Sequence, residues 1–227
     1  MTKWLLLLAT VMIIIVGTVV GVSSCSRTSQ FQLALDNLSE ARLFMKHAEL
    51  EGFNAQFFAG MREDPYIVNG ISERKVPFGI INLEARETIE ADEIEGSLKI
   101  GEELLSITLD RNPHGANFGT DIEFLPPVEK DLILTLTIGE TTHVFNFTNV
   151  MPPDAISWER ALEIAVDHLA PQIRRAGKFE CYVKIITCPV KSGCSYWYVR
   201  FVPEKGENFF VVIDATGRIV NNQRAQK

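Results

Sequence analysis

The stretch Phe31–Leu50, FQLALDNLSEARLFMKHAEL, carries apolar residues at Leu33, Leu35, Leu38, Ala41, Leu43, Phe44 and Leu50. Separations of mostly three and four put these positions on one stripe of a helix, so the spacing predicts an amphipathic helix that ends at Gly52. The stripe is expected to pack on the chain that follows it. Residues 26–52, a polar spacer from Ser26 to Gln30 and then this helix, thus separate an apolar leader from everything downstream.

Beyond the helix the period changes. Leu105, Ile107 and Leu109 alternate with polar residues, as do Leu132, Leu134, Leu136 and Ile138, and Phe145 and Phe147 flank Asn146. Period two marks strands with one wet face. Gly139-Glu140 reads as a tight hairpin turn and Asn112-Pro113-His114-Gly115 as a longer loop. Residues 53–150 are therefore expected to form an antiparallel β domain, a small sandwich or barrel. Met151-Pro152-Pro153-Asp154 marks a stiff border, because proline suits neither a helix interior nor a sheet ladder.

After that border, ISWERALEIAVDHLA predicts a helix with Ser157 as N-cap and Trp158, Ala161, Leu162, Ala165 and Leu169 on one face, closed by Pro171 and Gly177. FECYVKIITCPVKSGCSYWYVRF gives two strands around a Pro189–Gly193 loop, and FFVVIDATGRIV gives a third strand, a turn at Asp214–Gly217 and a short return. The class read from these patterns is α+β: a leader and helix, an antiparallel β middle domain, and a C-terminal helix packed on an antiparallel sheet over residues 154–222.

If Cys188 faces Cys194 across the hairpin, Ile186 pairs with Tyr196, Lys184 with Tyr198 and Tyr182 with Arg200. Cys181, Val183, Ile185, Trp197, Val199 and Phe201 then share an apolar side suited to the helix, and Tyr182, Lys184, Ile186, Tyr196, Tyr198 and Arg200 take the other. An oxidising compartment would allow a Cys188–Cys194 disulfide, leaving Cys181 a buried thiol. Tyr and Arg are enriched in binding hot spots, so Tyr182, Lys184, Tyr196, Tyr198 and Arg200 form a candidate binding face. The competing reading is that this side is packed or simply solvated, since half-wet sheets are common.

The leader places the protein. Lys3 precedes an uncharged run from Trp4 to Val22, roughly long enough to span a bilayer core. Val22-Ser23-Ser24-Cys25 follows and resembles the lipobox of bacterial lipoproteins: an aliphatic residue, two small ones, and a cysteine that is lipidated. Residues 1–25 are read as a lipoprotein signal with Cys25 as acylation point, or as a retained single-pass anchor. Either reading tethers the protein to a cell membrane and faces the rest away from the cytoplasm.

Ile156, Ala161, Ile164 and Ala165 in the helix, the Tyr196-Trp197-Tyr198-Val199 strand and Val212-Ile213-Asp214-Ala215-Thr216-Gly217 at the terminal turn together resemble a PepSY domain. This module occurs in peptidase propeptides and many bacterial envelope proteins. The resemblance implies a binding, inhibitory or chaperone-like role toward another envelope protein, often a peptidase, and no catalysis. The hairpin with its two cysteines is longer than the family pattern.

Other functions find no support in the pattern. A net charge of -7 disfavours nucleic acid, which is bound chiefly by Lys and Arg. His47, His114, His143 and His168 are scattered, and the cysteines lack the close pairs of a metal site, so neither metal nor other cofactor is expected. The glutamate-rich stretch Glu87–Glu95 reads as a solvated face or loop, and Asp110, Asn112 and Asp121 as turn chemistry. The expectation is a tethered, non-enzymatic protein that binds or regulates an envelope partner. The alternative is a structural or assembly component acting through its β domain.

Overall fold

In the computed structural model, which describes residues 30–65, 74–188 and 194–223, Phe31–Leu50 is not one helix. A short helix, α1, covers residues 30–36 and stops at Asn37. The Asn37 backbone N–H and side-chain amide both donate to the Leu33 carbonyl, at 3.1 and 2.7 Å. Its own carbonyl accepts from the Cys181 N–H at 2.7 Å, and the chain leaves as strand β1, Leu38–Leu50. Asn has the local hydrogen-bonding capacity to end a helix this way.

The helical spacing has a different cause from the one the sequence suggests. Ala41 and Met45 belong to one apolar core and Phe44 and Ala48 to another, so β1 is buried on both sides. Its register against the next strand shifts between Arg42 and Phe44. A bulged strand with two buried faces produces separations of three and four without any helix. Gly60 lies opposite the bulge, where an added Cβ would stand 1.8 Å from the Ala41 carbonyl oxygen, so the close approach requires glycine.

Twelve further strands follow: β2 (Phe53–Glu63), β3 (Lys75–Ala85), β4 (Glu93–Ile100), β5 (Glu103–Arg111), β6 (Asn117–Ile122), β7 (Leu132–Ile138), β8 (Thr141–Asn146), β9 (Thr148–Asn149), β10 (Phe179–Thr187), β11 (Ser195–Pro203), β12 (Phe209–Asp214) and β13 (Ile219–Gln223). Helix α2, Trp158–Ala176, lies between β9 and β10. All the strands join one sheet, ordered β13-β12-β11-β10-β1-β2-β3-β6-β5-β4-β7-β8, with β9 pairing β1. This corrects the expected α+β class, an antiparallel β middle part followed by a C-terminal helix on an antiparallel sheet. The chain is mostly strand, in one 13-stranded mixed sheet. The cause is β1, which pairs antiparallel with β2 along one edge and, along the other, parallel with β10 near Leu38–Ala41 and antiparallel with β9 at Lys46–His47.

Because β9 follows β8 and pairs back on β1, the strands from β1 to β8 close into a ring. Phe57, Leu83, Leu98, Leu109, Phe118, Leu134 and Phe145 fill it. The second core lies where α1 and α2 cover β10, β11 and β12, with Leu162, Leu169, Val183, Val199 and Val211 at its centre. Ser157 caps α2 by accepting from the Arg160 N–H at 3.3 Å. Pro171 does not close this helix: the chain continues helical to Ala176, and Gly177, at φ 67°, ends it.

Candidate functional site

The β10–β11 hairpin has the register its alternation implies, with Ile186 opposite Tyr196, Lys184 opposite Tyr198 and Tyr182 opposite Arg200. Cys181, Val183, Ile185, Trp197, Val199 and Phe201 point into the core under α2. Side chains alternate along a strand, which puts Tyr182, Lys184, Tyr196, Tyr198 and Arg200 on the opposite face.

That face is wider than two strands, because β1 continues it. Lys184 Nζ lies 2.9 Å from a Glu40 carboxylate oxygen, and Arg42 Nε donates to the other Glu40 oxygen at 2.7 Å. Burial tends to raise the Glu40 pKa, but the Arg42 and Lys184 cations outweigh it and hold the carboxyl below its ordinary range. The Arg42 guanidinium lies 3.9 Å from the centre of the Phe58 ring, and on β2 Arg62 sits 5.1 Å from the Phe78 ring and 3.1 Å from Asp121. The sequence reading missed Glu40 and Arg42 because it placed them on a helix. Their signal is the charged pair between apolar residues, which a strand presents on one face.

The five residues are not equivalent. Tyr182 is buried, its hydroxyl donating at 2.6 Å to the buried Glu180, so it supports the face from beneath. Lys184 is half-buried and lies 5.2 Å from the Tyr182 ring centre. Tyr196, Tyr198 and Arg200 are partly exposed, and Tyr198 packs on Phe210 at 5.2 Å. Ile186 beside them is among the large apolar side chains left open.

At the end of the hairpin the Cys188 N–H donates to the Cys194 carbonyl at 2.8 Å, and both residues carry free thiols. Such a hydrogen-bonded pair has Cα atoms roughly 5.5 Å apart, within the range a disulfide spans. The intervening Pro189–Gly193 loop lies outside the described residues, as do the leader and Cys25. Cys181 is buried, and desolvation pushes its thiol pKa far up, which makes it inert. The Tyr196 phenol pKa is raised, first by the Cys194 sulfur beside it and then by desolvation.

The histidines do not converge. His47 shares a hydrogen bond with Asn54 at 2.7 Å, His143 packs on Phe53, and among the described residues no group of three His, Cys, Asp or Glu side chains is placed to hold a metal. Among the same residues no helix is long and apolar enough to cross a membrane. The terminal turn forms as its sequence suggests. One Asp214 oxygen accepts from the Thr216 N–H, the Thr216 hydroxyl and the Arg218 N–H at 3.0, 2.7 and 2.9 Å, and Gly217 takes φ 92°. The chain matches no protein-family model, no curated protein and no solved structure.

Proposed function

We propose that this is a membrane-tethered extracytoplasmic protein, lipidated at Cys25, that binds another envelope protein through the sheet face opposite α2, without catalysis. The observation that carries this reading is the composition of the face. Tyr196, Tyr198, Phe210, Ile186 and Arg200 present aromatic, aliphatic and guanidinium surface side by side, anchored below by the Tyr182–Glu180 hydrogen bond and the Glu40–Lys184 pair. Large side chains held by their neighbours lose little entropy on binding, which favours them as contact residues. The lipobox-like Val22–Cys25 supports the tether, and the PepSY-like pattern over residues 154–222 supports an envelope partner.

The test is photo-crosslinking in intact cells from the full chain, with the crosslinker at position 198 or 200, or at position 163 on α2 as a control. A single partner captured from 198 and 200, not from 163, and lost with Arg200→Glu and Tyr196→Ala while the unfolding midpoint stays within about 1 °C, is expected; surface substitutions of this kind cost little stability. Capture that survives both substitutions transfers the contact to the strand ring and favours a structural component of the envelope.

A further inference from the structure

The ring of strands has two different ends. One is stopped by the segment between β6 and β7, where Phe124 and Leu125 pack on the ring core and the Lys130 carbonyl accepts at 2.7 Å from Nζ of Lys46. The other end holds a cavity of about 580 Å³, bounded by the β1–β2 turn, the end of β3, the segment into β4 and the β7–β8 turn. That volume is in the range that takes small organic ligands, and barrel mouths are a common place for them.

The lining of this cavity is divided. Phe53, Ile94 and Ile138 give it an apolar floor, and Glu87, Glu90 and Glu93 stand around the opening. None of these three carboxylates has an ion-pair partner among the described residues. One cation close to this wall is committed elsewhere. Arg111 donates from Nε and Nη2 to the Ala91 carbonyl at 3.0 and 2.6 Å and from Nη2 to the Ile89 carbonyl, with its guanidinium 4.9 Å from the Phe118 ring centre. It therefore fixes the backbone of the wall, its one ion pair among the described residues being with Asp92 and not with the three rim glutamates.

We propose that this cavity binds an organic cation with a hydrocarbon body, its ammonium group at the glutamate rim and its chain on the Phe53–Ile94–Ile138 floor. Charge complementarity selects the cation, and the floor selects an apolar body, which gains on the order of 0.8 kcal/mol per buried CH₂. A bare divalent ion fits poorly: eight of the fourteen lining residues bring no side-chain oxygen, and among the described residues no three acidic or His side chains are arranged around a point. This cavity lies at the Glu51–Phe53 end of β1, away from Glu40 and Arg42, and is independent of the function of the sheet face.

The probe is hexylammonium, titrated into the full chain in detergent and followed by backbone amide NMR shifts, with 1-hexanol as its neutral isostere. Shifts centred on Phe53, Ile94 and Ile138 are expected, with binding about tenfold tighter for the ammonium than for the alcohol at low salt and an advantage that shrinks at high salt. Glu90→Gln with Glu93→Gln, both exposed, should reduce that advantage to about threefold or less and leave the unfolding midpoint unchanged. Equal affinity for hexanol, shifts elsewhere in the chain, unaltered hexylammonium binding by the double variant, or displacement of hexylammonium by equimolar Ca²⁺ would each overturn the proposal.

Discussion

Tyr196 shows how one side chain can report the chemistry of a pair it does not belong to. While Cys194 is reduced, negative charge on its sulfur opposes the Tyr196 phenolate, and the phenol pKa is raised. A Cys188–Cys194 disulfide removes that negative sulfur. The Tyr196 pKa should then fall toward its ordinary value on oxidation, and rise again on reduction. The measurement is a pH titration of tyrosine ring carbon resonances in the oxidised and reduced protein, with the signal assigned by Tyr196→Phe and the bond counted by mass. An identical Tyr196 titration in two samples that mass shows to differ by the bond would mean that the Cys194 sulfur does not set the phenol pKa. Cys181, buried under α2, should stay unmodified in each. Asp214 is a residue of the opposite kind, legible because its task is local. The Thr216 hydroxyl, more than the Arg218 and Thr216 N–H groups, holds its pKa down, and all lie within four residues of it.

At the scale of the element, β1 decides the architecture, and a glycine that it does not contain decides β1. Gly60 and Gly139 look alike in the sequence, but their surroundings differ. An added Cβ at position 60 meets backbone, the Ala41 carbonyl, whereas at position 139, φ 61°, it meets nothing within 4 Å. Gly60→Ala must therefore push β1 and β2 apart and should cost about 3 kcal/mol. Gly139→Ala pays only for a left-handed turn, about 1 kcal/mol. Urea unfolding of both variants checks the order, and a Gly60 variant as stable as wild type would mean that the bulge relaxes freely. What could be read from sequence follows the same division. The β7–β8 hairpin was legible because period-two alternation surrounds Gly139-Glu140, and the β10–β11 register because one face is wholly apolar. β1 was illegible because a strand buried on both sides, with a bulge between Arg42 and Phe44, loses its alternation. That reading hid the part of the candidate face on β1 where Glu40 and Arg42 lie. The Glu87–Glu95 stretch, read as a solvated face or loop, is both: its first part is loop, and Glu93 and Glu95 stand exposed at the start of β4.

For the whole molecule, the consequence of a shared strand is cooperativity. Leu43 touches both apolar cores, and β1 supplies an edge to the ring and an edge to the C-terminal strands, so neither half can lose β1 without exposing its own core. The proline-rich stretch at Pro152–Pro153 looks like a border in the sequence, yet Val150 donates its N–H to Met45 at 3.0 Å and Ile156 donates to Ala215 at 2.9 Å, so the chain is tied down on both sides of it. We therefore expect one unfolding transition. Trp158 and Trp197 report the C-terminal half, since both contact the core under α2, and fluorinated Phe57 and Phe145 report the ring. Their urea midpoints should coincide within error, as a two-state domain requires. Removing everything after Asp154 should leave a chain without a cooperative transition, because Leu38, Ala41 and Met45 would lose the strands and helix that bury them. Two separated midpoints, or a truncated chain that still unfolds cooperatively, would show that the ring folds alone and that β1 is a hinge between two bodies. The distinction governs how partner binding is tested: in a cooperative molecule a truncation removes the fold together with the face, and only single exposed side chains such as Arg200 and Tyr196 separate the two.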